Sequence, residues 1–123
     1  MKTIYLASGN PGKIREFSAF FAKYNVFIKS LKDINEKIII NETGATFKEN
    51  ALIKARTVCE IINKPVLADD SGIIVDILGN EPGVKSARYS GVHGDELKNN
   101  LKLLDKLTGV PFEQRKARFV CIL

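Results

Sequence analysis

The sequence predicts an α/β domain in which at least one pair of strands runs parallel. Short β-branched apolar runs alternate with stretches of helical periodicity, and Gly, Pro and Asn punctuate the joints. No internal repeat, low-complexity tract or long linker breaks the alternation. Strands in that order are joined by helical crossovers, which place neighbours parallel in a sheet flanked by helices.

The elements follow in order. "TIYLAS", Thr3 to Ser8, is a short strand that runs straight into the turn "GNPGK". Asn10 then Pro11 reads as N-cap and first helical residue. Ile14, Phe17, Phe20, Phe21 and Tyr24 recur at helical spacing, while Lys13, Arg15, Glu16 and Lys23 take the other face. "VFIKSL" is a second strand and "KIIIN" a third apolar run. In "TFKE", Thr46 and Glu49 form a capping box, and Phe47, Ala51, Leu52, Ala55, Val58, Cys59 and Ile62 mark the buried stripe of the helix it starts. "KPVLADD" and "GIIVDIL" read as strands with a kink at Ser71-Gly72, and Gly79, Pro82 and Gly83 punctuate the loop beyond. Leu97, Leu101, Leu104 and Leu107 mark a third helix, and "KARFVCIL" a last strand. That strand is too apolar for a bare edge, so a downstream segment or a partner is expected to cover it.

The 123 residues suffice for one domain with a single core, and an apolar share of 45% with 27% charged residues is ordinary for a soluble globular protein. A net charge of +5 favours an anionic partner, although a lysine-rich solvated surface gives the same sum. The basic residues are dispersed with no interleaved aromatic platform, which argues against nucleic acid. No apolar run reaches membrane length, and "MKTIYLASGN" turns polar too early for a signal peptide, so a cytoplasmic location without a membrane partner is expected. Cys59 and Cys121 lie in apolar patterns and read as reduced core residues. The single histidine, His93, excludes a His-cluster metal site and reads as a turn or cap residue.

Three segments carry candidate chemistry. In "SGNPGK" a strand ends, glycines let the backbone turn closely, and a helix N-terminus points its N–H groups where Lys13 also lies, an arrangement that binds phosphate oxygens. It lacks P-loop spacing, and a glycine-rich turn is often only a turn. In "NETGATFKENALIKA", Glu42 precedes a capped helix and Lys54 lies two turns into it; a dipole-favouring carboxylate and a solvated lysine are the plain alternatives. In "LADDSG", Asp69 and Asp70 sit between apolar runs, where buried carboxylates need partners. Neighbouring strand residues face opposite ways, so a kink would let one hold a hard cation or activate water while the other orients it. Mg²⁺ suits such oxygen ligands; an exposed Asx turn is the alternative.

Together, "SGNPGKIREF", "ETGATFKENALIKA" and "LADDSGIIVDILGNEPGVKSARYSG", in that order, closely resemble the inosine/xanthosine triphosphate pyrophosphatase family, from about Thr3 to the last residue. The resemblance implies a mixed central sheet in a two-lobed fold, usually a homodimer, that hydrolyses dITP, ITP or XTP to the monophosphate and pyrophosphate with Mg²⁺. It implies that Ser8, Gly9, Asn10 and Lys13 form the phosphate-binding turn, with Lys13 also serving catalysis. Lys54 and Ser71 would be further substrate contacts. Glu42, Asp69 and Asp70 would hold the metal, and Asp70 would accept the proton.

The chain also departs from the family. Asn41 stands where many relatives carry another acid. The Phe-Gly-Tyr-Asp segment, a later lysine and the Ser-His-Arg that serve base recognition are absent. A single, truncated pyrophosphatase domain over 1–123 is therefore expected, keeping the phosphate and metal half of the site. The alternative is a non-catalytic remnant that binds phosphate or self-associates through its open strand edge.

Overall fold

The first strand, β1 (Lys2–Leu6), is flanked on both sides: β2 (Val26–Ser30) and β3 (Val66–Leu67) each pair with it in parallel, giving the sheet order β2-β1-β3. The structure, a computed structural model, describes residues 2–123. These form two compact units, one reaching to Asp69 and including Leu123, the other running from Asp70 to Ile122.

In the first unit, helix α1 (Pro11–Ala22) connects β1 to β2, and α2 (Phe47–Ile62) lies between β2 and β3 in the chain. These are the crossovers that parallel pairing requires. Asn10 caps α1 as the sequence suggests, its side chain accepting from Gly12 and Lys13 N–H. Thr46 caps α2 through Glu49 N–H, but the Glu49 carboxylate reaches past the cap residue to Ala45 N–H at 2.7 Å. Asn63, in the left-handed conformation at φ 50°, ends the helix.

The core here is Ala7, Val58 and Ala68, with Leu31, Ile34, Ile38, Ile40, Ala55, Ile62 and Val66 packed against it. "KIIIN" joins no strand: Ile38 and Ile40 pack on the core while Ile39 between them is exposed. On α2, Val58 and Ala51 are buried as the periodicity predicts, whereas Leu52 and Cys59 are exposed. Both cysteines are free, but Cys121 is exposed too, so neither is a core residue.

In the second unit β4 (Asp70–Val75) pairs antiparallel with β5 (Ala117–Ile122), from Asp70 opposite Ile122 to Val75 opposite Ala117. Parallel and antiparallel pairing thus both occur, in separate sheets. The expected kink at Ser71-Gly72 is not there: both residues lie inside β4, opposite Cys121 and Val120. The break falls instead at Ala68-Asp69, where the chain leaves the β1 ladder and has not yet entered the β5 ladder.

Helix α3 (Glu96–Lys106) is seated by Asn99, which accepts from Ser90 N–H and donates to Ala87 C=O, with Leu103 half-buried and Leu107 buried beyond it. Those positions are four residues apart. Of the predicted leucine stripe Leu107 is therefore buried as expected, whereas Leu97, Leu101 and Leu104 are 55–70% exposed. Phe119 of β5 is exposed as well.

Candidate active site

Parallel strands end at the same side of a sheet, and ligands of α/β proteins gather where those carboxyl ends open. Leu6 of β1 is level with Leu67 of β3. Two residues on, Ser8 and Asp69 therefore leave the sheet side by side, and Ala7 N–H donates to Leu67 C=O at 2.8 Å to hold them there. Lys13, in the first turn of α1, reaches Asp69 Oδ2 at 3.0 Å. Asp69 is only 4% exposed, and this lysine supplies the partner its burial demands.

The turn "SGNPGK" is closed on itself. Ser8 Oγ accepts Asn10 N–H at 3.0 Å, and Asn10 Oδ1 accepts Gly12 N–H at 2.8 Å and Lys13 N–H at 3.2 Å. The helix-end N–H groups that the sequence offers to phosphate are thus occupied by the cap in this conformation. Gly9 is exposed, with open space where a Cβ would stand.

Glu42 and Lys54 meet in the same unit, Glu42 Oε1 lying 3.1 Å from Lys54 Nζ. The loop that carries Glu42 is held by a residue whose role the sequence reading missed. Asn50, fully buried, accepts Gly44 N–H at 2.8 Å and donates to Gly44 C=O at 3.3 Å. A Cβ on Gly44 would stand 2.7 Å from Asn50 Oδ1 and from Glu49 Cβ, so the close approach needs glycine. The only signal was spacing: Asn50 lies three residues after Phe47 and four before Lys54, on the helix flank they share.

One core cluster gathers these segments. Ala7 precedes Ser8, Ala68 precedes Asp69, Ala55 follows Lys54, and Ile40 lies two residues before Glu42. Packing of four small or branched side chains thus fixes the backbone from which both ion pairs project.

Asp70 opens β4 in the second unit and is 6% exposed; Ser71 beside it is half-buried. An Asx turn with both aspartates exposed is therefore ruled out. His93 is an exposed turn residue and Asp95, not His93, caps α3.

The second unit also holds a charged network that the sequence did not suggest. The Tyr89 hydroxyl donates to Glu81 Oε1 at 2.9 Å, Lys106 Nζ donates to the same oxygen at 3.1 Å, and Lys102 Nζ donates to Tyr89 C=O at 2.7 Å. The Tyr89 hydrogen bond, then Lys106, holds the Glu81 carboxyl below its ordinary range. Burial pushes the Tyr89 phenol up, and Glu81 adds to it. Lys106 is pushed up by its bond to Glu81.

A sequence model of the Ham1 family matches residues 4–123. The chain belongs to the Ham1 family. Among Ham1 relatives, the dITP/XTP pyrophosphatase of Geobacillus kaustophilus is 52% identical over all 123 residues, which cover 60% of that protein. The Staphylococcus aureus Ham1 protein is 40% identical at a TM-score of 0.82, with 98% of this chain aligned to 60% of that one. A Coxiella burnetii HAM1 protein is 36% identical at 0.85, with 98% of this chain aligned to 61% of its own. The chain therefore spans about three-fifths of the Ham1 proteins it matches, and its α/β fold is theirs.

Proposed function

We propose that this chain carries the phosphate- and metal-handling portion of a hydrolase that converts dITP, ITP or XTP to the monophosphate and pyrophosphate, keeping deaminated purines out of nucleic acid. The observation that carries this is the pairing of Lys13 with Asp69 at the carboxyl ends of β1 and β3. In this reading the lysine, in the first turn of α1, is the cation for phosphate, and the acid just past β3 is a carboxylate for metal. The name dITP/XTP pyrophosphatase borne by relatives about half identical to this chain supports the substrate class.

In this reading Lys13 and Lys54 neutralise the triphosphate, with Ser8, Gly9, Asn10 and Ser71 supplying polar contacts. Asp70 positions the attacking water and takes its proton; the water oxygen bonds to the α-phosphorus as pyrophosphate leaves. Glu42, Asp69 and Asp70 would hold Mg²⁺. Among the described residues no three His, Cys, Asp or Glu side chains form a ready-made metal cluster. Mg²⁺ keeps waters and shares substrate oxygens, so one or two of these hard carboxylate donors suit it. When bound it offsets charge on the phosphate oxygens. The reading further takes the protein as cytoplasmic, as a homodimer in its full family form, and as acting without nucleic-acid or membrane partners. No helix among the described residues is long and apolar enough to cross a membrane.

The test is pyrophosphate release from dITP with Mg²⁺, beside Asp70→Asn. Release that vanishes in the variant supports the assignment. A second reading, a non-catalytic self-associating remnant, is favoured by the exposure of Phe119, Leu97, Leu101 and Leu104. No release, with oligomers in sedimentation, would decide for it.

A further inference from the structure

Residues 37–44 belong to no helix or strand, so no ladder of backbone hydrogen bonds fixes Glu42 in place. Local contacts do it instead. Before Glu42, Ile40 packs on the core of the first unit. Around it, Thr43 N–H donates to Asn41 C=O at 3.0 Å, closing a three-residue turn with Glu42 at its centre. After it, Gly44 is held through both backbone groups by the fully buried Asn50 of α2. We propose that Asn50 is a positioning residue for Glu42: by fixing Gly44 against α2 it sets where the Glu42 carboxylate stands, and so how tightly the chain holds a divalent cation. The inference rests on the assignment of Glu42 to metal in the preceding section and deepens it.

The spacing of the two segments supports this role. Asn50 and Lys54 lie four residues apart on α2, about 6 Å along its axis. Gly44 and Glu42 lie two apart, an interval over which a chain reaches at most about 7 Å. The loop therefore runs back along one flank of the helix, with Gly44 meeting Asn50 and Glu42 meeting Lys54 at 3.1 Å. Gly44 has no room to carry a side chain, since a Cβ there would stand 2.7 Å from Asn50 Oδ1. A carboxylate held this way is ordered before any cation arrives, which lowers the entropy cost of ordering it on binding. Groups that orient a metal ligand from behind are typically worth about 10- to 100-fold in metal affinity.

The experiment reads metal and anion separately. Mn²⁺ alone is titrated by electron paramagnetic resonance, and inorganic tripolyphosphate in excess chelator by calorimetry. Glu42→Gln is expected to weaken Mn²⁺, as the preceding assignment requires. Asn50→Ala should then weaken Mn²⁺ by roughly 10-fold, with tripolyphosphate not weakened and the helical circular-dichroism signal kept. Added to Glu42→Gln, Asn50→Ala should bring no further loss, because a position that no longer carries the ligand has nothing left to set. A merely structural role would lower Mn²⁺ affinity again in the double variant. Gly44→Ala displaces the loop from the other side, leaves every side chain of α2 unaltered, and replaces Asn50→Ala if that variant does not fold. Parent-like Mn²⁺ affinity in the folded variant, an additive loss in the double variant, or a parallel loss of tripolyphosphate would overturn the positioning role, while the loss in Glu42→Gln keeps the assignment standing. A parent chain that binds no Mn²⁺, or a Glu42→Gln variant that binds it as well as the parent, would remove Glu42 from the metal site and the proposal with it.

Discussion

Asn50 grips Gly44 through both backbone groups, accepting its N–H at 2.8 Å and donating to its carbonyl at 3.3 Å. One side chain thus ties the loop bearing Glu42 to the helix bearing Lys54. Asn50→Ala is expected to lower stability by about 2 kcal/mol, since two bonds go and both backbone groups of the half-buried Gly44 lose their Asn50 partner. Asn50→Asp should cost more, because it sets a charge against the Gly44 carbonyl. Urea denaturation midpoints check the order.

Gly44→Ala tests the same contact from the other side. A methyl there meets Asn50 Oδ1 and Glu49 Cβ at 2.7 Å, so the loop must move. The double variant with Asn50→Ala should be less destabilised than the sum, with a coupling of about 1 kcal/mol. Strict additivity in a double-mutant cycle would mean that the two residues do not share one packing constraint.

Asn10 separates helix stability from anion binding. Asn10→Ala removes the acceptor for Gly12 and Lys13 N–H and should cost about 1 kcal/mol. Asn10→Asp keeps the cap and gains from the helix dipole, yet places a negative charge beside the phosphate turn. Thermal midpoints should therefore be kept in the aspartate variant while tripolyphosphate affinity falls.

The Glu81, Tyr89 and Lys106 network sets a stability plateau. The folded value of Glu81 lies below its ordinary 4.5, so its contribution is present above that pH and is lost as pH falls through the lower folded value. Tyr89 and Lys106 have folded values above their ordinary 10.0 and 10.5. Stability tied to them is complete below those values and is lost as pH climbs through the raised ones. Tyr89→Phe removes the largest cause acting on Glu81, so the acid limb of the thermal midpoint should begin nearer the ordinary carboxylate value.

The two faces of α3 should respond differently. Leu107→Ala empties a buried position and is expected to cost roughly 2–5 kcal/mol. Leu101→Ala alters an exposed one and should stay within about 0.5 kcal/mol in this chain. Equivalent losses in urea melts would show that the leucine stripe is covered in solution.

Much of this was legible in residue order. Asn10-Pro11 and Thr46 set the helix starts through local hydrogen bonds, and local chemistry is what a sequence displays directly. Strand and helix alternation likewise implied the parallel ladder. What failed depends on distant partners. Ser71-Gly72 looks like a break, but pairing with Cys121 and Val120 holds it extended. Leu97, Leu101 and Leu104 satisfy the helical period, while a polar residue, Asn99, seats the helix. Cys59 and Cys121 show that apolar context along the chain does not ensure enclosure in space. Among the site residues, the resemblance singled out Lys13, Glu42, Lys54 and Asp69; that they would meet in lysine–carboxylate couples could be read only from the strand register and from Asn50.

The level alignment of Leu6 with Leu67 carries a consequence for tolerated change. The stretch Asn63-Lys64-Pro65 feeds β3 into that alignment, so its spelling can drift while its length cannot. A one-residue insertion would slide the strand by a rung and deliver the methyl group of Ala68 to the place where Lys13 now finds its acid, while a one-residue deletion would draw Asp70 there and out of its own register with Ile122. Substitutions in this connector should be mild and indels severe.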